Sequence, residues 1–440
     1  VRANRCVYSP QAGCTLEQDK NAMAEIKQLR CVIGGCAYSA DAVTYACPLH
    51  GELGTLDVLY DYAALKSQLD RDEISASRVT NCWRYRPLLP IASDSRVPPL
   101  DVGWTPLYDT PRVARALGVS RAWVKDDGAN PTGSLKDRAS ALVLARALEQ
   151  GIGTVSTAST GNAAAALAGL GASLPEVDIL IFVPQTSPAA KIAQLLVYGA
   201  KVLLVEGTYD DAFDLCMEIC QAEGWYSRNT GVNPFTTEGK KTAALEIAEQ
   251  LAWHVPDVVA VSVGDGSIIS GTHKGFADLH RLGWIDRIPR LIGVQAIGSA
   301  VLAQAWEKGL PAEEIRRSPV QTIADSIAAE LPRDRAKALR AVRETGGAFV
   351  TVSDDEIIAA IPQLAQLAAV FAEPAAAAAF AGAKRAVLSG LVDPEESLCL
   401  LITGNGLKDV PRAQQSVAQG IRVAPNLDAV RGALRRVRMI

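Results

Sequence analysis

The chain has 440 residues, 49% apolar and 21% charged, with a formal net charge of −4. Such a composition describes a soluble protein of about two or three domains and offers no ground for nucleic acid or an anionic membrane as partner. The longest apolar run, Leu364 to Ala383, is broken by Glu373-Pro374, and nine cysteines follow no secretory-type N-terminus. A transmembrane span is therefore not expected, and the thiols read as reduced in a cytoplasmic protein.

The first 110 residues show little periodicity and carry five cysteines before position 50. Cys31, Cys36, Cys47 and His50 are spaced C-x4-C-x10-C-x2-H. Three thiolates and an imidazole suit a structural zinc, and the spacing is near a zinc-ribbon plan; the competing reading is a decayed ribbon with buried thiols. From Arg121 onward, short β-rich runs alternate with helical ones. Strands are expected at Ala122–Lys125, Thr154–Ser159, Asp178–Val183, Lys201–Val205, Val258–Val263, Leu291–Ala296, Ala348–Val352 and Ser397–Thr403. Helical patterns lie between them, at Ala163–Leu170, Ala189–Tyr198, Asp211–Glu223, Lys241–Trp253 and Gly271–Leu282. Such alternation implies βαβ units and parallel sheets, and a run as apolar as Ile179–Val183 suits a sheet covered on both faces. Residues 431–440 read as a basic surface helix or tail. The division expected is an N-terminal extension over 1–110, a large α/β domain from 111–153 and 246–440, and a smaller α/β domain over 154–245.

Ligands of open parallel sheets bind beyond the carboxyl ends of the strands, so the loops there carry the functional reading. The first is Asn130-Pro131-Thr132-Gly133-Ser134-Leu135-Lys136-Asp137-Arg138. Its turn residues and Ser134, placed as a cap, set Lys136 at the mouth of a helix, where an amine can hold an aldehyde as a Schiff base. Ser159-Thr160-Gly161-Asn162 runs into an alanine-rich helix, whose amides and hydroxyls favour an anion such as a carboxylate. Asn162 can donate to a phenolate-like oxygen. Gly264-Asp265-Gly266-Ser267 opens another helix and resembles a phosphate cradle, although Asp265 is awkward there unless its side chain turns away. It lacks the Lys-Ser/Thr ending of a nucleotide P-loop and the third glycine of a dinucleotide fingerprint. Thr403, before Gly404-Asn405-Gly406, supplies a neutral hydroxyl. An amine, a carboxylate cradle, a phosphate cradle and a hydroxyl together match pyridoxal phosphate.

With these motifs in this order, and with Trp83–Pro90, Thr105-Pro106-Leu107, Asn233–Thr242 and Glu373-Pro374, the chain resembles the threonine-synthase-type members of the tryptophan-synthase-β group of pyridoxal-phosphate enzymes (fold type II). The resemblance implies two parallel-sheet α/β domains with an N-terminal zinc-ribbon-like extension, and a homodimer acting on a small amino acid. It implies Lys136 as Schiff-base lysine and proton carrier. Asn162, Gly264, Asp265, Gly266, Ser267 and Thr403 would line the cofactor, with Ser159, Thr160, Gly161, Asn229 and Lys240 on the substrate side.

One departure bears on the substrate. Relatives that use phosphohomoserine tend to carry Asn-Pro-x-Arg-x-Glu-Gly-Gln-Lys-Thr. Here Thr236 stands at the arginine place, Lys240 replaces the glutamine, and Asp265 replaces a neutral asparagine. Exchanging a planar charged fork for a hydroxyl weakens a phosphate grip, and Lys240 restores only a point charge. The expected activity is a β/γ-elimination or replacement lyase, foremost threonine synthesis from O-phosphohomoserine and water. The alternative is ammonia loss from threonine, serine or diaminopropionate, or β-replacement on an unphosphorylated amino acid. His254, His273 and His280 are read as structural.

Overall fold

A computed structural model describes residues 25–43 and 45–437. Cys6, Cys14 and the last three residues of the basic tail lie outside them. β1 (Ile26–Cys31), β2 (Ala37–Tyr38) and β3 (Leu56–Tyr60) form an antiparallel sheet ordered β2-β1-β3. β4 (Leu107–Asp109) and β5 (Arg121–Asp126) then begin a larger sheet. The chain leaves it to build a wholly parallel one from β6 (Thr154–Ala158), β7 (Asp178–Pro184), β8 (Lys201–Val205) and β9 (Tyr226–Ser227), ordered β8-β7-β6-β9. It returns with β10 (Val258–Ser262), β11 (Arg290–Ala296), β12 (Ala348–Val352) and β13 (Ser397–Ile402). These complete the order β12-β11-β10-β13-β5-β4, parallel except at the β4 edge.

Central strands of the large sheet are buried along their length; every residue of β10 is. Helices on both faces cover them, which is why their sequences run apolar rather than alternating. The expected strands appear within one or two residues of their bounds. The basic C-terminal stretch is a helix, Leu427–Arg436, in which only Ala433 is buried. No helix among the described residues is long and apolar enough to cross a membrane.

One local expectation fails. Ser134 does not cap the helix Lys136–Glu149: the residue before the helix is Leu135, with no side-chain cap, and the Ser134 hydroxyl is buried without a partner. Its backbone instead bridges Gly404, and the Leu135 N–H donates to the Thr403 carbonyl at 2.9 Å. Asp137 closes the turn, accepting from the Thr132 N–H at 2.7 Å and from the Thr132 hydroxyl. Tertiary pairing with the loop after β13 has displaced the local cap.

Beneath that turn lies a wholly buried group of four charges. The Arg138 guanidinium makes two bonds to Asp127, at 2.7 and 2.8 Å, and two to Glu246, one at 2.8 Å. Lys125 Nζ meets Glu246 at 2.6 Å, the Thr105 carbonyl at 2.7 Å and Gln250 at 2.9 Å. Burial alone would raise the Glu246 carboxyl, but Arg138 and Lys125 outweigh it and hold it well below the usual range. The cluster ties β5 and the Lys136 helix to the helix Thr242–Gln250. Close by, the helix Phe235–Lys240 packs on the same helix so tightly that a Cβ at Gly239 would collide with the Arg138 carbonyl.

The N-terminal sheet is docked by a second buried network. Tyr60 donates to Glu238 and Tyr62 to Asp278, and Asp278 also takes Lys241 at 2.9 Å and Lys274 at 2.6 Å. Removing one partner from such a network strands the others. Glu246→Ala, which leaves Arg138 and Lys125 short of their shared carboxylate, is expected to cost about 3–5 kcal/mol, read from the midpoint of denaturant unfolding. A loss within the ~0–1 kcal/mol of an exposed ion pair would show that the cluster does not hold these elements together.

Candidate active site

The carboxyl ends of β6, β9 and β10 meet around a cavity of about 330 Å³, lined also by Lys136 and by residues 325–328. Among the described residues, no hydrogen bond or ion pair engages the Lys136 amine. Burial pushes its pKa down to about 8, with Glu373 and Asp265 pulling upward and Arg228 downward. An amine so placed keeps a sizeable neutral fraction near neutrality, as nucleophilic attack on an aldehyde requires.

Ser159, Thr160, Gly161 and Asn162 line the cavity together, with the helix Asn162–Gly171 starting at Asn162. The Asn162 amide nitrogen donates to Glu373 Oε1 at 2.8 Å and to the Ser326 hydroxyl at 3.2 Å. Gly264, Asp265, Gly266 and Ser267 line the opposite wall, and the helix Ser267–Leu282 leads away from them. Gly266 has φ +89°, and a Cβ there would lie 2.7 Å from the Ala338 Cβ; one at Gly264 would lie 2.8 Å from the Ile327 Cα. The loop therefore packs too closely on residues 327 and 338 to admit side chains at either position, and Gly266 also holds a left-handed backbone. Asp265 turns toward the Arg333 N–H, 3.4 Å from its Oδ1, and burial raises its carboxyl.

Asn229 lines the cavity, but its carbonyl oxygen is used to hold the end of β6, taking the Ala158 N–H at 2.9 Å and the Thr157 hydroxyl at 3.0 Å. Lys240 is not a lining residue; its ammonium donates to Ser267 from behind the glycine loop. Burial, then Arg228 and Lys136, push Lys240 well down from the usual lysine value. Thr403 is buried just beyond β13, tied to the Lys136 turn through its carbonyl, and is likewise outside the lining set. Thr236 is not at the site: it is buried, with its hydroxyl bonded to the Asn233 carbonyl at 2.8 Å. His273 is buried, 3.3 Å from Glu344, and none of the lining residues is a histidine.

Several residues at the site escaped the sequence reading. Arg228 is fully buried, lines the cavity, and has no carboxylate within ion-pair distance among the described residues. Its nitrogens bond Ser140 at 3.0 Å, Thr230 at 2.8 Å and the Lys136 carbonyl at 3.5 Å. Ser262, at the end of β10, presents a buried hydroxyl without a partner. Tyr209 and Ser326 complete the wall, and Glu373 stands behind Asn162. Glu373-Pro374 was visible as a motif, but nothing local gave its carboxyl a role. Arg228 follows a two-residue strand, too short to show a period.

These residues fit pyridoxal phosphate: a buried unpartnered amine for its aldehyde, a glycine-lined helix start for its phosphate, and polar groups for its ring substituents. The chain belongs to the pyridoxal-phosphate dependent enzymes, whose family model matches residues 99–404. Pyridoxal phosphate is the cofactor of this chain. Within that family it falls with the threonine synthases. It is 38% identical to the threonine synthase of Methanosarcina acetivorans over 407 residues, 92% of this chain and 98% of the relative. It is 36% identical to that of Methanocaldococcus jannaschii over 408 residues, 93% of this chain and 99% of the relative. Among solved structures, the processed form of threonine deaminase isoform 2 from Solanum lycopersicum matches with a TM-score of 0.60 at 24% identity, covering 72% of this chain and 88% of that one, which shows the shared fold.

At the other end of the chain, Cys31, Cys47 and His50 bring their ligating atoms within 4.8 Å of one another. His50 Nδ1 lies 3.6 Å from the Cys31 sulfur and 3.3 Å from that of Cys47. Cys36, expected as a fourth ligand, is outside this group; its thiol turns to the Gly34 carbonyl at 3.9 Å. Gly34 packs under the imidazole, where any side chain would displace His50.

Two measurements follow from the Lys136 environment. Lys136→Ala is expected to abolish the visible absorbance of the bound cofactor. In the unloaded protein, trapping of a reactive aldehyde at Lys136 should rise with pH as the ammonium loses its proton and level off above about 8. A rate still climbing steeply beyond pH ~10, near the free lysine value, would contradict the environment described.

Proposed function

We propose that this enzyme converts O-phosphohomoserine and water to threonine and phosphate. The observation that carries the reading is Arg228. A guanidinium has five N–H donors, and the three bonds it makes among the described residues leave two for a ligand. Its fork matches phosphate geometry, so the grip that Thr236 cannot supply comes from the end of β9 instead. Arg228 also raises the electrostatic cost of charging Lys136 and Lys240, and Lys136 that of Lys240. Bringing a phosphate dianion among them relieves that cost, whereas a neutral leaving group would not. The threonine synthases to which the chain is similar act as their name states, and this supports the same reaction here.

Pyridoxal phosphate, when bound, supplies an electron sink for charge developing next to the substrate's amino group. The chain supplies the rest. Amides and hydroxyls of Ser159 to Gly161 hold the substrate carboxylate and so fix the Cα–H bond toward Lys136. Lys136 Nζ takes the proton from Cα, then one from Cβ, and returns one to Cγ as phosphate leaves it. Arg228 carries the departing phosphate's charge. Water adds its hydroxyl at Cβ and gives its other proton to the departed phosphate, and Lys136 returns the Cα proton.

The cysteine–histidine group supports a structural zinc: two thiolates and one imidazole are a usual partial donor set, with a fourth position to be filled. Its place is near the site, because the Tyr45 hydroxyl, two residues before Cys47, accepts the Ser227 N–H at 2.6 Å, next to Arg228. Purified protein is expected to hold about one zinc per chain, and Cys47→Ala to lose it; a metal-free wild type with unchanged thermal stability would rule out this assignment.

The activity test compares phosphate release from O-phosphohomoserine with ammonia release from threonine, serine and diaminopropionate. Phosphate release should dominate, and Arg228→Met should raise KM for O-phosphohomoserine about 10–100-fold, the worth of one or two charge-assisted hydrogen bonds, with Arg228→Lys in between. Ammonia release without phosphate release, or an unchanged KM in the methionine variant, would overturn the assignment.

A further inference from the structure

Asn162 is read above as facing the cofactor's ring oxygen, and the inference below rests on that reading. A carboxamide has a donating edge and an accepting edge, and it can offer the cavity only one of them. In the structure both hydrogens of the Asn162 nitrogen are spent on protein groups: Glu373 Oε1 at 2.8 Å and the Ser326 hydroxyl at 3.2 Å. The edge left for the cavity is then the carbonyl oxygen. An oxygen cannot hold an anionic ring oxygen; it repels it.

The way out lies in the proton count on Glu373. As a carboxylate it only accepts, so it draws the amide nitrogen to itself. As a carboxylic acid it can donate to Asn162 Oδ1, and the amide then turns its nitrogen outward. The Ser326 hydroxyl, which also reaches Glu373 Oε2 at 3.5 Å, can serve either arrangement because it both donates and accepts. We propose that Glu373 is a positioning residue whose proton decides which edge of the Asn162 amide faces the cofactor's ring oxygen.

The surroundings favour the protonated form. Glu373 is buried where Gly404 has no side chain to exclude it, and its own N–H donates to the Gly404 carbonyl at 3.1 Å. Burial raises its carboxyl, against the Asn162 and Ser326 bonds and the charges of Lys136 and Lys408, which lower it. Neither ammonium forms an ion pair with it, and the buried Lys408 amine has no hydrogen-bond partner at all among the described residues. Asp325, beside Ser326, is exposed and engaged with Lys191. Once the ring oxygen is present as an anion, it adds a further reason for Glu373 to keep its proton. As pH rises through the Glu373 pKa, the proton is lost, the amide turns back, and the cofactor is held less tightly.

The test uses the full chain without substrate and reads cofactor affinity from the visible absorbance. Wild type is compared with Glu373→Gln, whose carboxamide can donate to Asn162 Oδ1 at every pH. Because Glu373 also pulls on Lys136, the two dissociation constants are compared as well for pyridoxine phosphate, which keeps the ring oxygen but cannot react with the Lys136 amine. The ratio of the wild-type to the glutamine-variant constant should be near unity at the acid end of the folded range and rise about tenfold as pH climbs through the raised Glu373 carboxyl. A ratio that stays flat overturns the proposal. Glu373→Ala, which cannot donate, should bind more weakly than Glu373→Gln throughout, and equal affinities would again overturn it. If the glutamine variant does not fold, the wild type alone decides. Its absorbance band should shift with pH, and the shift should vanish in Asn162→Ala; a shift that survives there belongs to some other group. Absence of cofactor binding by wild type at every pH would instead remove the reading of the site itself.

Discussion

The buried ion cluster of Arg138, Asp127, Glu246 and Lys125 is the constraint on which the site depends. Two cations and two carboxylates cancel, so the group survives without water, but only while all four are present. Arg138 lies two residues beyond Lys136 on the same helix, and Asp127 directly follows β5. The cluster therefore fixes where the first turn of that helix begins relative to the sheet. The turn itself has no side-chain cap and relies on bonds to the loop after β13. A lysine at such a helix start would be a mobile surface group without this anchoring. With it, the amine is held over the cavity with no partner of its own.

Neutrality in the cluster contrasts with the imbalance next door. Around the cavity, Arg228 lowers the proton affinity of Lys136 and Lys240, Lys136 lowers that of Lys240, burial lowers that of Arg228, and the nearby acids are turned or buried so that they compensate only in part. Asp265 leans toward the Arg333 backbone, and Glu373 is taken up by Asn162. Burying uncompensated cations costs free energy. The cost is recovered when anions enter, and the helix starts at Asn162 and Ser267 add their amides to the same field. A site built in this way selects ligands by charge before it selects them by shape, which is a reason for the substrate-side arginine to have no carboxylate partner.

What could be read in the sequence was whatever is contiguous. The glycine loops after β6 and β10, and the lysine turn after β5, each place several site residues within a few positions of one another. Strand-end logic then assembled them correctly around one cavity. Strands were legible because both faces are covered, which makes them uniformly apolar. Contributions from single residues were not legible. Thr236 looked like a lost phosphate ligand because the comparison was made position by position along one motif. In space a guanidinium does line the cavity, but it is that of Arg228, beyond a strand of two residues. Ser134 looked like a cap because propensity is local, whereas its backbone answers to Gly404, some 270 positions away in sequence. Cys36 looked like a ligand by type and spacing, yet the turn through Gly34 and Gly35 sends its thiol elsewhere.

The N-terminal sheet joins this account through two contacts rather than through chemistry of its own. Tyr60 and Tyr62 insert their hydroxyls among Glu238, Lys241 and, from the helix Ser267–Leu282, Lys274 and Asp278. Tyr45 reaches the other way and takes the Ser227 N–H. The first contact bears on the helix whose start is proposed to hold the cofactor phosphate. The second bears on the backbone immediately before the arginine proposed to hold the substrate phosphate. Cys31 at the end of β1 comes together with Cys47 and His50, just after Tyr45, and the Tyr38 hydroxyl lies 3.0 Å from the Cys47 sulfur. Loosening that gathering would leave the cavity's catalytic lysine in place, since the ion cluster holds it independently. It would loosen the two elements proposed to face phosphate. The extension thus acts on the grip of the site and not on its reacting amine.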